Sequence, residues 1–232
     1  MKRLVVVLGL VGFLGSFSPN GYAEAHFELK TPHYAFNKAT IAAGAKLFAK
    51  RCMSCHSVKY MRYEFMKQDL GMSEADVEKY LMLPNGASFK GGMVSAMPPR
   101  MAHKWFGVSP PDLSQIIQYR GQDWVYTYLL SFYRDPATPS GWNNHVFPKV
   151  AMPDVLAPWG GIVNGQGKVL KKGSESPAKF KAQVTDIVAF LRFVSDPSVF
   201  QRWAIGPWVL GLIAFFTFTA YLLKRQYWKG VK

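Results

Sequence analysis

The chain has 232 residues, enough for one or two domains, and carries 28 Lys+Arg against 14 Asp+Glu, a formal net charge of +14. Hydrophobic residues at 49 % and aromatics at 15 % exclude a disordered polyelectrolyte, and 18 % charged residues argue against a nucleic-acid scaffold built on Lys/Arg tracts. The only cysteines, Cys52 and Cys55, are too few for a disulfide-stapled fold or a four-cysteine zinc or iron–sulfur centre.

The chain opens with Lys2 and Arg3, then an uncharged stretch from Leu4 to Pro19, then Ala23 and Ala25 either side of Glu24. A charged start, a short apolar middle and a small-residue exit predict a secretory signal peptide over residues 1–25, cleaved after Ala23 or Ala25. An uncleaved N-terminal anchor would want a longer apolar run.

Further on, Ile41, Ala45 and Phe48 recur at helical spacing within Thr40–Arg51, predicting a helix that runs into Cys52-Met53-Ser54-Cys55-His56. C-x-x-C-H is the attachment signal of c-type haem. Two thiols one helical turn apart can add to the two haem vinyl groups, and the adjacent imidazole then lies beneath the iron. Cys52 and Cys55 are thus the candidate thioether anchors and His56 the candidate proximal ligand. A thiol–disulfide pair would want a preceding strand in a βαβ unit, and a zinc site a second pair of ligands; the sequence offers neither. Gly44 and Phe48 lie eight and four residues before Cys52, and the extended pattern resembles that of class I cytochromes c. In that family the glycine lets a C-terminal helix cross at close range.

Ser73 and Asp76 predict a capped helix over Glu74–Leu83, and Ser109 and Asp112 predict that PPDLSQIIQYR opens as another. Pro84–Gly107 and Asp135–Ser176 hold most of the Gly and Pro and predict long loops, with KKGSESPAK as a mobile surface turn. Val184, Ile187, Val188, Leu191 and Val194 form an apolar stripe in Ala178–Ser195, the candidate partner helix, which ends at Asp196-Pro197. Trp203–Leu223 is 21 residues without a charge. As a helix it would span ~31 Å, the thickness of a bilayer's hydrocarbon core. Trp203, Trp208, Tyr221, Tyr227 and Trp228 stand near its ends, and Pro207 is expected in its first turn. Lys224, Arg225, Lys229 and Lys232 follow with no acid, which predicts that the 224–232 tail is cytoplasmic and that residues 26–202 are exported. Of the +14, +1 lies before residue 26 and +4 after residue 202, leaving +9 on the exported part.

The iron's second axial ligand stays open on spacing alone. Met97, Met101 and Met152 are the sulfur candidates, His103 and His145 the nitrogen ones.

From about His33 to the C-terminus the chain resembles the cytochrome c1 family, the haem subunits of quinol–cytochrome c oxidoreductases (bc1 complexes). The resemblance rests on TPHYAFNKATIAAGAKLFAKRCMSCHSVKYMRY, SPPDLSQIIQYRGQDWVY, VAMPDVL, and DIVAFLRFVSDP leading into the terminal apolar segment. It implies Met152 as the axial methionine, Pro110 and Pro111 as the proline pair beside the haem, and Arg120 as the arginine meeting a haem propionate. It further implies one covalent haem c and single-electron relay from a Rieske iron–sulfur protein to a periplasmic cytochrome c. The terminal helix would pack on cytochrome b within a dimeric complex of the bacterial inner membrane, with no substrate chemistry of the chain's own and no nucleic acid. The fold expected is mostly α: a class I cytochrome c-like haem domain of three to five helices with long loops, plus one C-terminal transmembrane helix. Two departures stand out. Relatives are often acidic near the haem edge, whereas this domain is basic, which points to an acceptor that is acidic, membrane-held or docked by apolar contact. Trp124 stands where relatives often carry tyrosine. The competing readings are a free-standing anchored cytochrome serving an oxidase, and a haem-based ligand sensor.

Overall fold

The computed structural model describes residues 27–82 and 86–230, so the expected signal peptide lies outside the described residues. Two helices organise the domain. The first, α1 (Lys38–Arg51), starts where the Asn37 side chain accepts the Thr40 N–H at 2.9 Å. The second, α8 (Pro177–Ser195), starts where the Ser176 hydroxyl accepts the Lys179 N–H. Such caps satisfy backbone donors that the first turn leaves without partners. The stripe on α8 is buried as its spacing predicts, with Val184, Ile187, Val188, Leu191 and Val194 together with Phe190 and Phe193 all inside the core. Each large side chain so buried stabilises the fold by about 1.5–3 kcal/mol before entropic costs.

The crossing of α1 over α8 is made at Gly44. A Cβ there would lie 1.9 Å from the Asp186 carbonyl oxygen and 3.0 Å from the Phe190 Cβ. Phe48, one turn on, meets Phe190 with ring centroids 5.3 Å apart. The close crossing expected of Gly44 and the partner helix is what the structure has.

Between these helices the chain makes β1 (Val58–Arg62), α2 (Tyr63–Gln68), α3 (Glu74–Tyr80), β2 (Gly92–Met93) and α4 (Pro99–Phe106). There follow α5 (Ile116–Arg120), α6 (Gln122–Leu129), β3 (Phe132–Arg134), β4 (Trp142–Asn144), α7 (Ala157–Gly160), β5 (Gly161–Val163) and β6 (Val169–Lys172). The strands pair as three antiparallel two-stranded ribbons, β1–β2, β3–β4 and β5–β6. The molecule is mostly α, but its helices outnumber the three to five expected because stretches assigned to loops contain short ones. Ser73 caps α3 through the Asp76 N–H at 3.1 Å, as its spacing predicts. The tract KKGSESPAK is no free turn: it joins the end of β6 to the capped start of α8, and Gly173 sits against the Trp159 carbonyl.

Two expectations fail for stated physical reasons. Ser109 and Asp112 do not cap a helix, because α5 begins only at Ile116, after an uncapped Gln115. The Ser109 hydroxyl instead donates to the Pro99 carbonyl, and the Asp112 carboxylate accepts the N–H groups of Ser114 at 2.9 Å and Lys59 at 3.0 Å. Pro207 is not in a first turn either. The last helix, α9 (Val199–Tyr227), begins two turns earlier, so Pro207 lies inside it and withholds the N–H that the Trp203 carbonyl would otherwise accept. This 29-residue helix is long and apolar enough to cross a membrane, and its apolar window is uncovered by the rest of the chain.

The link from α8 to α9 is short and braced. The Arg202 guanidinium grips the Asp196 carboxylate with both arms, Nη1 at 2.7 Å from Oδ1, and also donates to the Ser198 hydroxyl. Phe36 is stacked on Phe200 at 5.6 Å, edge-on to Trp203 at 6.0 Å, and covered by the Arg192 guanidinium at 4.3 Å.

Candidate haem centre

The final turn of α1 delivers the C-x-x-C-H motif. Cys52 donates its N–H to the Phe48 carbonyl at 2.8 Å, and the Cys52 carbonyl accepts the N–H groups of Cys55 at 3.1 Å and His56 at 2.8 Å. Both thiols and the imidazole therefore come off one tight turn. Neither cysteine is in a disulfide; Cys52 is buried and Cys55 half-buried. Burial pushes the Cys52 thiol up to about 12, with the neighbouring Cys55 adding to the shift. That disfavours thiolate chemistry, which depends on a depressed thiol pKa. Among the described residues no group of three or more His, Cys, Asp and Glu could hold a metal ion, so a zinc site has no second pair of ligands there.

His56 places Nδ1 2.8 Å from the Pro111 carbonyl oxygen. A carbonyl only accepts, so Nδ1 carries the proton and the lone pair lies on Nε2, the free ligating atom. Burial holds the imidazole below its ordinary range, against opposing pulls from the Pro111 carbonyl and Asp112, and this favours the neutral form that ligates iron. Segment 111–114 is fastened along 56–60: Leu113 donates to the Ser57 carbonyl at 2.8 Å, and Tyr60 donates its N–H to the Ser114 hydroxyl at 3.2 Å. It is Pro111, not Pro110, whose carbonyl meets the histidine.

Met152 is half-buried, and the Tyr128 hydroxyl donates to its sulfur at 3.4 Å. Tyr128 stacks on Trp124 at 5.0 Å, one turn back along α6. Arg120, at the end of α5, lays its exposed guanidinium over Tyr119 and Trp124 at 4.9 Å each and over Phe147 at 5.9 Å. No carboxylate pairs with it among the described residues, which leaves its donors open to an anion. Of the other ligand candidates, Met101 and His103 lie exposed on α4, and His145 stacks on Tyr133 at 4.4 Å. Met97 sits beside the motif through Ser95, which bonds Ser54 and Ser57.

Sequence reasoning missed three residues here. Tyr128 meets Met152 across 24 positions, a contact that only the tertiary fold creates. Asp112, whose spacing predicts a helix cap, instead pins the motif's exit strand through the Lys59 N–H. Asp154, half-buried two residues past Met152, is pushed up to about 6 by desolvation, against the pull of the Leu156 and Ala157 N–H groups.

Two thiols and a neutral imidazole on one turn, with the second ring nitrogen already bonded, fit a covalent haem better than a redox dithiol or a zinc ion. The class this defines is a c-type cytochrome. The sequence profile of the Cytochrome C1 family matches residues 27–231. A cytochrome c1 of Allochromatium vinosum is 39 % identical over 251 residues, covering 100 % of both chains. A protein of Nitrosomonas europaea named ammonia monooxygenase gamma subunit is 38 % identical over 234 residues, covering 99 % of each. A mitochondrial cytochrome c1 heme protein of Solanum tuberosum is 26 % identical, covering 97 % of this chain and 93 % of its own. A solved chain of a hyperthermophilic respiratory Complex III is similar at a TM-score of 0.45 and 19 % identity, covering 100 % of this chain and 98 % of that one.

The chain belongs to the cytochrome c1 family. Its cofactor is a single covalently bound haem c, and its role is electron transfer.

Proposed function

We propose that this chain relays single electrons from a Rieske iron–sulfur protein to a periplasmic cytochrome c, held in the bacterial inner membrane by α9 packed on cytochrome b. Residues 1–25 would be its signal peptide, 26–202 the periplasmic haem domain, 203–223 the membrane span and 224–232 the cytoplasmic tail. Cys52 and Cys55 would hold the haem through thioethers, and His56 Nε2 and the Met152 sulfur would hold its iron. The haem supplies the one-electron couple. The polypeptide supplies the rest. Pro111 fixes the rotation of the His56 ring and keeps Nε2 aimed; Tyr128 fixes the Met152 sulfur; Arg120 would hold a propionate in a charge-assisted pair. The core around Phe48 and Met53 excludes water from the motif's inner side, which favours the less charged reduced state.

The observation that carries this reading is the 2.8 Å contact between His56 Nδ1 and the Pro111 carbonyl, formed on the turn that bears both cysteines. The three-residue link braced by Asp196–Arg202 favours a subunit fixed in a complex over a shuttle, which would need a flexible tether. Mild-detergent purification of the tagged chain tests it. A dihaem b-type cytochrome and a Rieske protein should co-elute, quinol should reduce the c-type haem, and the chain should stain for haem on a denaturing gel. A chain eluting alone, or without covalent colour, refutes the reading. Carbon monoxide binding by the reduced native protein would favour a sensor and refute the His/Met site.

A further inference from the structure

Helix α4 is slung from the motif at both ends. Before it, Ser95 bonds to Ser57 and to the Ser54 carbonyl; after it, Pro111 holds His56, and the Ser109 hydroxyl ties back to Pro99. Its inner side is fixed by Ala102, which is 1 % exposed. Arg100 and Lys104 are spaced i, i+4 along it, as are Met101 and Trp105, so a basic row and an apolar row lie side by side, facing outward. Trp105 is 59 % exposed and Val108, just past the helix, 53 %. Exposed tryptophan and arginine on one short helix are residue types enriched at interface hot spots, and Lys104 adds positive charge beside them.

The charge of this face is one-signed. Across residues 86–122 the bases are Lys90, Arg100, Lys104 and Arg120, and the only acid is Asp112. Both Asp112 oxygens are turned onto backbone N–H groups. Five of the acids cluster elsewhere, on and between α2 and α3: Glu64, Asp69, Glu74, Asp76 and Glu78, and Asp123 follows the window directly. A membrane surface is a poor occupant for it. The apolar entry to α9 packs on Phe36, just before α1, whereas the motif lies at the far end of α1, which is about 21 Å long.

We propose that α4 and the segment to Val108 form the docking site for an acidic, soluble electron-carrier protein, with Trp105 as the apolar anchor and Arg100 and Lys104 steering the encounter. This rests on the electron-relay reading above and names the chemistry of the acceptor. A basic face raises the encounter rate of an acidic partner at low salt and repels a basic one.

The test uses the whole detergent-solubilised complex, reduced by quinol and mixed in stopped flow with two soluble monohaem cytochromes of similar potential, one acidic and one basic. The acidic acceptor should react about tenfold faster at low ionic strength, and salt should erase that advantage as the Debye length shrinks. The double variant Arg100→Glu/Lys104→Glu should slow the acidic acceptor about tenfold at low salt and speed the basic one. Trp105→Ala should raise KM for the acidic acceptor about tenfold at every salt concentration. Quinol-driven haem reduction without an acceptor should be unchanged in all variants. If that reduction is absent from the unaltered complex, the relay reading fails. If it persists but the basic acceptor is faster at low salt, or the variants leave both acceptor rates unmoved, the docking proposal is overturned and the face belongs to another subunit or to lipid.

Discussion

A hydroxyl 3.4 Å from a thioether is a small feature with a measurable consequence. If the Met152 sulfur is an iron ligand, one of its lone pairs goes to the metal and the other accepts the Tyr128 proton. The hydrogen bond draws electron density from the sulfur, weakens its donation to ferric iron and so raises the reduction potential. Tyr128→Phe keeps the ring stacked on Trp124 and removes only the hydroxyl. A neutral hydrogen bond contributes ~1 kcal/mol, so its loss should lower the midpoint potential by on the order of tens of millivolts in a redox titration. The far-red charge-transfer absorption of a methionine-ligated ferric haem should persist. An unmoved potential would mean that Met152 is not the ligand, and Met152→Leu would then leave that absorption in place too. That Cys52, Cys55 and His56 leave one turn was legible in the sequence because the C-x-x-C-H spacing lies within five consecutive residues. Tyr128 was not, because nothing local distinguishes it from its aromatic neighbours on α6.

Among the elements, the pair that could be read in advance was the pair governed by a 3.6-residue period. α1 and α8 bury stripes long enough to count, and Gly44 announces their crossing. The ribbons and the short helices are too brief for periodicity, and their hydrogen bonds come from distant segments. Asp112 shows how a local rule misleads: the S-x-x-D spacing is present, yet the carboxylate satisfies the N–H groups of Ser114 and Lys59 in a turn, the competing use of such side chains. The crossing gives a direct prediction. Gly44→Ala sets a methyl 1.9 Å from a backbone carbonyl of α8, which cannot rotate aside, so the helices must separate. The holoprotein should lose about 1–3 kcal/mol of stability and show a lower Tm, with its haem still attached. The link between α8 and α9 gives another. The Arg202 hydrogen bond, helped by Ser198, holds the Asp196 carboxyl below its ordinary 3.8. A depressed acid stabilises the fold above its unfolded pKa, and that contribution disappears as pH falls through the folded value. Limited proteolysis at residues 196–198 should therefore accelerate below about pH 4 in the native chain. In Asp196→Asn it should already be fast at pH 7 and change little with acid. A pH-independent rate in the native chain would refute the brace.

At the scale of the whole molecule, what matters is whether the haem domain is held or free relative to α9. A helix apolar enough to span a membrane could be read from composition, but the manner of its joining to the rest of the chain could not, since Phe36 reaches Phe200 and Trp203 only through the fold. Those aromatic contacts, the Arg192 cap and the Asp196–Arg202 brace all bridge the point where the domain meets the apolar helix. A fixed domain presents its haem to the electron donor at one distance and orientation, whereas a tethered one dilutes that arrangement over the volume its linker sweeps. Inserting eight Gly/Ser residues between Pro197 and Ser198 separates Asp196 from Arg202 and Phe36 from Phe200 without touching the motif, α4 or the apolar span. The variant should assemble through α9, carry haem in full amount and keep the native midpoint potential. Its quinol-driven haem reduction should slow about tenfold, because the productive pose becomes one of many. An undiminished rate, with haem content and assembly intact, would mean that the domain works as a swinging carrier and that the brace at Asp196 serves stability alone.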